Sequence, residues 1–265
     1  MTQYSSEPLI ALRTETALEV REPGSGDPLL LRLWQVLQQL QRTRGAGLTE
    51  RAQGLRRACQ QVCELHGIDV ELVGTLPASP AVIVANHLGY IDPVVICALI
   101  PCSPIAKSEI QSWPLVGEPL RHMNVSFVRR GSPQSGARVL KHCLRTLRSG
   151  VSVLNFPEGT TSRGGLLPFQ LGAFWLARKS GLPIVPIGME FGTPDMCWVD
   201  AEGFLPHYGR IIWGKLQGKR RKVRVCVGEP IDPVRFQSEI AASFAARSAI
   251  AQLRRPYAEP EPRRS

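Results

Sequence analysis

Residues 81–93 have the sequence AVIVANHLGYIDP, an apolar run of five residues followed by a short polar loop. A run of this length and composition predicts a buried β-strand. The loop carries His87 and, five positions later, Asp92, which precedes Pro93. In α/β proteins, ligands and reactive groups gather on the loops that leave the carboxyl ends of parallel strands. The pair is therefore a candidate for catalysis, although Asp-Pro also marks helix starts and a capped turn explains the same residues.

The sequence on both sides of this stretch alternates between strand-like and helix-like segments. Apolar runs predict seven strands, and apolar stripes at helical spacing predict helices between and after them. Such alternation predicts an α/β fold, with a twisted, largely parallel central sheet of about seven strands flanked by helices. The predicted strands are Val70–Val73, Ala81–Ala85, Pro104–Ala106, Asn124–Val128, Val151–Phe156, Ile184–Met189 and Val223–Val227. The predicted helices of this domain lie at Ala137–Leu147, directly after Pro168 and from about Pro233 to Leu253.

A pair of amphipathic helices is predicted ahead of the α/β domain. The first begins at Asp27-Pro28 and the second runs from about Thr49 to His66, because apolar residues recur there at helical spacing. The pair either packs on the main domain or lies in a membrane interface. The predicted organisation is a flexible lead at 1–26, the helical pair at 27–67, the α/β domain at 68–253 and a disordered tail at 254–265.

The composition is that of a folded globular protein, with 43% hydrophobic and 20% charged residues. No window has the roughly 18 apolar residues that a membrane-spanning helix needs. Residues 1–10 lack a basic region followed by an apolar core, so no secretory signal is predicted and we expect a cytoplasmic protein. The seven cysteines include no C-x-x-C pair, which predicts buried free thiols in a reducing compartment and no metal site.

The positive charge is large and unevenly distributed. The chain has 32 Lys and Arg against 22 Asp and Glu, a net charge of +10. No acidic residue occurs between Pro119 and Pro157 or between Gly203 and Gly228, and each stretch holds seven basic residues. Such a charge attracts nucleic acid, anionic lipid headgroups or a phosphorylated substrate, although a solvated basic face also explains it. Because the chain has no recognisable RNA- or DNA-binding motif, we do not expect a nucleic-acid partner.

Three further polar segments follow predicted strands. Residues 155–164 have the sequence NFPEGTTSRG, and such a loop either turns N–H groups and hydroxyls toward an anion or is simply a polar turn. Glu158 within it either orients other groups or accepts a substrate hydroxyl. Residues 127–132, FVRRGS, place arginines at a strand end, where a guanidinium suits a phosphate and only one of two neighbours faces the His87 side. Lys107 follows a third strand.

These segments, in this order, resemble the glycerolipid acyltransferase family, which includes 1-acyl-glycerol-3-phosphate acyltransferases. The H-x-x-x-x-D signature of that family matches His87 and Asp92, with Asn86 ahead of it as is common. The other matching blocks are F-P-E-G-T at Phe156–Thr160, the arginine-ended strand at Phe127–Arg130 and the proline-bearing block at Leu182–Pro186. The resemblance covers roughly residues 75–235. It departs from the family where Thr161 and the pair Gln170-Leu171 stand in place of basic residues, and this leaves the acceptor open.

The resemblance implies transfer of a fatty acyl group from an acyl thioester, either acyl-CoA or acyl-carrier protein, to the free hydroxyl of a lysophospholipid. The expected acceptor is 1-acyl-glycerol-3-phosphate, which gives phosphatidic acid. His87 would take the hydroxyl proton, and Asp92 would hold the other ring nitrogen while capping a helix that begins at Pro93. Backbone N–H groups around Gly159 would stabilise the oxyanion. We expect no cofactor beyond the thioester co-substrate and no metal. The expected substrate-binding residues are Asn86, Lys107, Arg130, Glu158, Gly159, Thr160 and Arg163.

Other functions fit the same residues. The protein is alternatively an acyltransferase for another lysolipid such as lyso-ornithine lipid, a thioester hydrolase, or a non-enzymatic module that binds anionic lipid.

A basic cluster also predicts docking on an anionic membrane surface or on an acidic acyl-carrier protein. We therefore expect peripheral attachment to the inner face of the cell membrane. The cluster consists of Lys219, Arg220, Arg221, Lys222 and Arg224.

Overall fold

The computed structural model describes residues 38, 45–113, 117–162, 165–193, 196–197 and 204–254, and of residues 204–208 it describes the backbone. The predicted lead, all of the first predicted helix except Gln38, and the tail beyond Arg254 lie outside these ranges.

Within the described residues, a seven-stranded sheet forms the centre of the protein. The strands lie side by side in the order β1-β7-β6-β2-β5-β3-β4. All neighbouring pairs are parallel except β6 and β7. The predicted α/β fold with a largely parallel sheet is therefore confirmed. The strands are β1 (Ile68–Val73), β2 (Val82–Ala85), β3 (Cys102–Lys107), β4 (Ser126–Val128), β5 (Ser152–Asn155), β6 (Ile184–Phe191) and β7 (Arg221–Val227).

Helices cover both faces of the sheet. Two predicted helices begin later than expected: the one after Pro168 starts at Gly172, and Pro233–Arg235 is a separate 3-10 turn ahead of the last helix. The helix Phe204–Leu216 was not predicted, because Pro206 and Gly209 disfavour helix on propensity alone. The helices are α1 (Leu48–His66), α2 (Ile91–Leu99), α3 (Gly117–His122), α4 (Pro133–Arg148), α5 (Gly172–Ser180), α6 (Phe204–Leu216) and α7 (Glu239–Leu253), with a further 3-10 helix at Ser108–Ser112.

The central strand β2 is buried on both faces, which explains its uninterrupted apolar sequence. Because side chains alternate along a strand, Ile83 and Ala85 enter one hydrophobic layer while Val82 and Val84 enter the other. The first layer includes side chains of α1 and α2, and the second includes side chains of α4, α5 and α7. The second predicted N-terminal helix, α1, thus packs on the α/β domain through its buried face.

Strands β2 to β6 are mutually parallel, so their carboxyl ends lie at one edge of the sheet, which we call the carboxyl edge. Strand β7 runs the other way, and Val223 pairs with Phe191 at the end of β6. The first residues of β7 are therefore also at the carboxyl edge. Strand β1 begins there too, because Ile68 pairs with Arg221.

Six of the seven cysteines are buried and all seven are free thiols, as the sequence predicts. The fold brings Cys97 within 3.6 Å of Cys102, measured between the two Sγ atoms. Burial raises the pKa of the Cys143 thiol to about 11. Within the described ranges, no group of three or more His, Cys, Asp or Glu side chains is arranged to hold a metal ion.

Candidate active site

His87 and Asp92 form a hydrogen-bonded pair at the carboxyl end of β2. The Nδ1–H of His87 donates to Asp92 Oδ2 at 2.7 Å. The Asp92 side chain is fully buried, whereas the His87 side chain is 19% exposed. Because Nδ1 carries the proton of this bond, Nε2 is the ring atom that can accept a proton from a substrate.

The same oxygen of Asp92 also shapes the loop that carries His87. It accepts hydrogen bonds from the backbone N–H groups of Leu88, at 2.6 Å, and Gly89, at 2.9 Å. Helix α2 begins at Ile91, so the predicted start at Pro93 was wrong, and Asp92 lies within the first turn. Asp92 therefore fixes both the imidazole and the backbone of the preceding loop, rather than capping a helix that starts after it.

Phe156 holds the plane of the His87 ring. The two rings are stacked, with centroids 4.3 Å apart and an interplanar angle of 21°. Phe156 directly follows β5, which pairs with β2, so the two loops leave adjacent strands. Sequence reasoning gave Phe156 no role. The signal that could have revealed it was an aromatic residue immediately ahead of Pro-Glu-Gly at the end of the neighbouring strand.

Glu158 joins the two loops through the backbone of His87. Its Oε1 accepts the His87 N–H at 2.8 Å, and its Oε2 accepts the Leu167 N–H at 2.9 Å and the Ser162 hydroxyl at 3.1 Å. In return, the His87 carbonyl accepts the Ser162 N–H at 2.8 Å. Glu158 is only 5% exposed and both of its oxygens bind protein groups. Of the two predicted roles, the geometry favours orientation of other groups.

Asn86 is also engaged within the fold. Its Nδ2 donates to the Met189 carbonyl at 3.0 Å, and its Oδ1 accepts the Met189 N–H at 2.7 Å. The amide thereby links the end of β2 to β6, and the residue is buried. We reassign Asn86 from the predicted substrate-binding role to positioning of the His87 loop.

Gly159 forms the tight turn after Phe156. Its φ of +71° lies in the left-handed region, which favours glycine. Its N–H donates to the Phe156 carbonyl at 3.1 Å, so this group is not available to an oxyanion, which corrects one of the predicted donors. Thr160 follows the turn and is partly exposed. The predicted ligand Arg163 lies outside the described residues.

Lys107 and Arg130 lie at the carboxyl edge but farther from His87. Lys107 ends β3 and is partly exposed, and Arg130 is exposed two residues beyond β4. Strands lie about 4.8 Å apart, so β3 is roughly 10 Å and β4 roughly 14 Å to the side of β2. These cations are therefore suited to the far end of a bound molecule rather than to the group that reacts.

The predicted basic cluster is not one uniform exposed surface. Arg221 is buried, Arg220 forms an ion pair with Asp69, and Arg224 Nε lies 3.1 Å from an oxygen of Glu71. Strand β1 runs beside β7 and supplies both carboxylates, a pairing that the local sequence does not reveal. The other two members of the cluster, Lys219 and Lys222, are exposed.

This arrangement is suited to general base catalysis. A histidine whose Nδ1–H is held by a buried carboxylate keeps the correct tautomer, and the carboxylate stabilises the imidazolium that forms on proton uptake. The stacked Phe156 ring and the two backbone hydrogen bonds of His87 restrict the imidazole to one place. His87 can therefore remove a proton from a hydroxyl bound at the carboxyl edge.

Comparisons with known proteins show what this chain is similar to. The model of a family described as Acyltransferase matches residues 67–190, which include His87, Asp92 and Glu158. The lyso-ornithine lipid O-acyltransferase of Pseudomonas aeruginosa is 32% identical over 199 residues, covering 72% of this chain and 75% of that protein. A chloroplastic 1-acyl-sn-glycerol-3-phosphate acyltransferase of Brassica napus is 37% identical over 143 residues, or 52% of this chain.

The fold also matches a solved structure. The crystal structure of the 1-acyl-sn-glycerophosphate acyltransferase from Thermotoga maritima aligns with 85% of this chain and 93% of that chain, with a TM-score of 0.55 and 23% identity. The chain spans 41% of the length of the Brassica relative, against three quarters of the Pseudomonas relative. On the family match and the extent of the Pseudomonas match, this chain belongs to the acyltransferase family.

Proposed function

We propose that this protein is an O-acyltransferase that moves a fatty acyl group from an acyl thioester to the free hydroxyl of a lysolipid. The observation that carries the proposal is the 2.7 Å hydrogen bond between His87 Nδ1 and the buried Asp92 carboxylate, at a strand end within the family-matched region. No cofactor beyond the thioester co-substrate enters the reaction.

The proposed reaction has two steps. As the acceptor hydroxyl oxygen attacks the thioester carbonyl carbon, His87 Nε2 takes the hydroxyl proton and Asp92 stabilises the imidazolium. When the tetrahedral intermediate collapses, the C–S bond breaks and the imidazolium returns the proton to the departing sulfur, which leaves an ester and a free thiol. The backbone N–H groups that follow the Gly159 turn, beginning with that of Thr160, are the candidate oxyanion donors.

The proposed acceptor is 1-acyl-glycerol-3-phosphate, whose phosphate would reach the cations Arg130 and Lys107 along the carboxyl edge. Lyso-ornithine lipid is the second candidate, and two observations favour it. The Pseudomonas relative named for that lipid aligns over 72% of this chain. In addition, Gln170, which lies beside Gly159, is neutral, so this part of the loop offers no positive charge to a phosphate.

A panel of donors and acceptors tests the proposal. The protein is incubated with acyl-CoA or acyl-carrier protein, with each lysolipid or with none, and thiol release is followed together with lipid products. Release that requires an acceptor supports the transferase and identifies its acceptor. Release at the same rate without acceptor would make the protein a hydrolase, and no release with any pair would make it a binding module.

Arg130→Ala separates the two acceptors. If a phosphate binds near Arg130, its removal raises the KM for 1-acyl-glycerol-3-phosphate about tenfold or more, because a charge-assisted hydrogen bond contributes roughly 1.5–3 kcal/mol. The KM for lyso-ornithine lipid should change little. The matched control is Arg138→Ala, which removes an exposed arginine from α4.

We further propose that the protein works as a peripheral protein on the inner face of the cell membrane, where its lysolipid acceptor would be found. None of the helices in the described part of the chain is long and apolar enough to cross a membrane.

A further inference from the structure

The carboxyl-terminal half of α6 exposes two large apolar side chains. Trp213 is 64% exposed and Leu216 is 63% exposed. They are three residues apart on a helix, so they lie on the same face. Ile211, on another face of the same helix, is fully buried. Exposed apolar residues of this size, adjacent on one helix, mark interaction surfaces when they occur with complementary charge.

Three lysines lie on the carboxyl-terminal half of α6 or on the residues that follow it. Lys219 is exposed on the segment that leads from α6 into β7, and its side chain lies against Gly214 of α6. Lys222 is exposed as the second residue of β7, and the Lys215 side chain lies against Gly67. The pKa of Asp69 is lowered, chiefly by its hydrogen bond with Arg220. The charges of Arg220, Lys222 and Lys215 lower it further. The acidic residues on β1, Asp69 and Glu71, are already paired with arginines. The lysines therefore give this surface an excess of positive charge.

The surface lies at the same edge of the sheet as His87. Strand β7 begins at the carboxyl edge directly after Lys219 and Arg220, and the Gly192 N–H, just past β6, donates to the Lys222 carbonyl at 2.8 Å. In the lateral order, only β6 separates β7 from β2, which corresponds to roughly 10 Å between those strands.

We propose that Trp213, Leu216, Lys215, Lys219 and Lys222 form a docking surface for the interface of a bilayer that contains anionic lipid. Bound in this way, the protein turns the carboxyl edge with His87 toward the membrane that holds its acceptor. The inference rests on the proposed function only for the identity of that acceptor, because the binding itself is independent of catalysis.

The chemistry of the surface favours a bilayer over an acidic carrier protein. Tryptophan prefers the boundary between headgroups and acyl chains, where its ring is buried and its N–H stays hydrated. Exposed lysines gain about 1 kcal/mol each from an anionic surface. A soluble acidic protein would use the lysines but would offer less to the exposed Trp213–Leu216 pair.

Vesicle co-sedimentation of the full chain tests this inference. Vesicles of phosphatidylcholine alone and of phosphatidylcholine with phosphatidylglycerol are compared at low and high salt. The double variant Trp213→Ala/Leu216→Ala should lower the partition coefficient on anionic vesicles at least about tenfold, because it removes most of the apolar area that enters the interface. The matched control is Ile240→Ala/Phe244→Ala, which removes a similarly exposed pair, 54% and 66% exposed, from α7.

A charge variant tests the second part of the surface. Lys219→Glu/Lys222→Glu should remove the preference for anionic vesicles, whereas the control Arg138→Glu/Lys141→Glu on α4 should keep it. All of these positions are exposed, so each variant should fold, and its thermal transition checks this.

Wild-type binding by both surface variants would overturn the inference, as would an equal loss in the α7 control. It is overturned as well if the surface variants keep vesicle binding and lose binding to acyl-carrier protein. Turnover of the unmodified protein with detergent-dispersed acceptor is measured in parallel. That rate reports on the proposed function alone, so its failure is distinguishable from failure of docking.

Discussion

At the scale of single residues, four contacts hold His87 in place. Its ring donates to Asp92 and stacks on Phe156, its N–H donates to Glu158, and its carbonyl accepts from Ser162. Holding both the ring and the backbone fixes Nε2 to within a small volume, and such preorganisation is what a general base needs. For Glu158, the sequence alone leaves two roles open, orientation of other groups and binding of a substrate hydroxyl.

Glu158→Gln tests the positioning role. Both oxygens of the Glu158 carboxylate accept hydrogen bonds from protein groups. A glutamine at this position must turn its NH₂ group toward at least one of these donors. One buried donor then loses its acceptor, which costs about 1–3 kcal/mol. We expect kcat to fall by roughly 10²-fold as His87 loses its fixed position, with KM for both substrates nearly unchanged.

The control for this variant is Glu229→Gln, which changes an exposed carboxylate elsewhere and should leave kcat unaltered. Steady-state kinetics with both substrates varied give the two constants. A rise in KM with normal kcat would instead return Glu158 to a substrate-binding role.

At the residue scale, the sequence predicts the contact between His87 and Asp92 but not the contacts of the residues around this pair. His87 and Asp92 are five positions apart, so their contact is nearly local and the spacing indicates it. The partner of Asn86 lies on β6, and the partner that Glu158 has outside its own loop lies on the loop after β2, so these contacts depend on strand order. The use of the Gly159 N–H within its own turn depends on backbone geometry that composition does not specify.

At the scale of elements, α7 is tied to the loop that follows the Gly159 turn. Arg247 donates from one guanidinium nitrogen to the Leu166 carbonyl at 2.5 Å and from Nε to the Leu167 carbonyl at 3.3 Å. The Leu167 N–H in turn donates to Glu158. A helix beyond the family-matched residues thus supports the carboxylate that holds His87.

Arg247→Met should therefore lower kcat about tenfold with little change in KM, because methionine keeps much of the packing and loses both hydrogen bonds to the loop. Arg178→Met is the matched control. Arg178 anchors the start of α7 through the Phe236 carbonyl and Glu239, away from the His87 loop. If α7 matters only for stability, both variants will lower Tm and neither will lower kcat.

Helix α1 carries a buried titratable group at its carboxyl end. His66 Nδ1–H donates to the Val62 carbonyl at 2.7 Å, and burial, with the charge of Arg221, lowers the pKa of His66 to about 4. The unfolded chain takes up this proton near pH 6.5, so between pH 6.5 and 4 it binds more protons than the folded protein. The contribution of His66 to the free energy of unfolding is therefore fully present above pH 6.5, and it is lost as the pH is lowered from 6.5 to 4.

Urea unfolding at pH 7 and pH 5 measures this effect. The wild type should lose about 2 kcal/mol more between these pH values than His66→Gln, which cannot take up the proton. The control is His122→Gln, at a side chain that is 40% exposed, and this variant should keep the wild-type pH dependence. Equal losses in wild type and His66→Gln would show that His66 is not buried as a neutral ring.

Elements with strong periodicity were predictable and the others were not. All seven strands appear within a few residues of their predicted positions. The central strand β2 is a continuous apolar run because it is buried on both faces, whereas β1 and β7 alternate apolar with charged residues. Helix α6 was not predicted from the sequence, because tertiary packing of Ile211 overrides the proline and glycine in its first two turns. The pairing of β7 with β1, which neutralises Arg220 and Arg224, required the sheet topology.

At the scale of the whole molecule, the sheet gathers the proposed functional groups on one edge. His87 lies near its centre, exposed cations follow β4 on one side, and the docking surface flanks the start of β7 on the other. A lysolipid would reach His87 from a membrane that faces this edge. The order of the strands, rather than any one motif, places the base, the cations and the docking surface together.

His87 is the proposed base of the acyl transfer. Acceptor-dependent thiol release from acyl-CoA and acyl-carrier protein, compared between the wild type and His87→Ala at matched folding, tests it most directly. We expect that release by the wild type requires a lysolipid and that His87→Ala is about 10²–10⁴-fold slower with an unchanged thermal transition. Near-normal acyl transfer by a folded His87→Ala protein would contradict it.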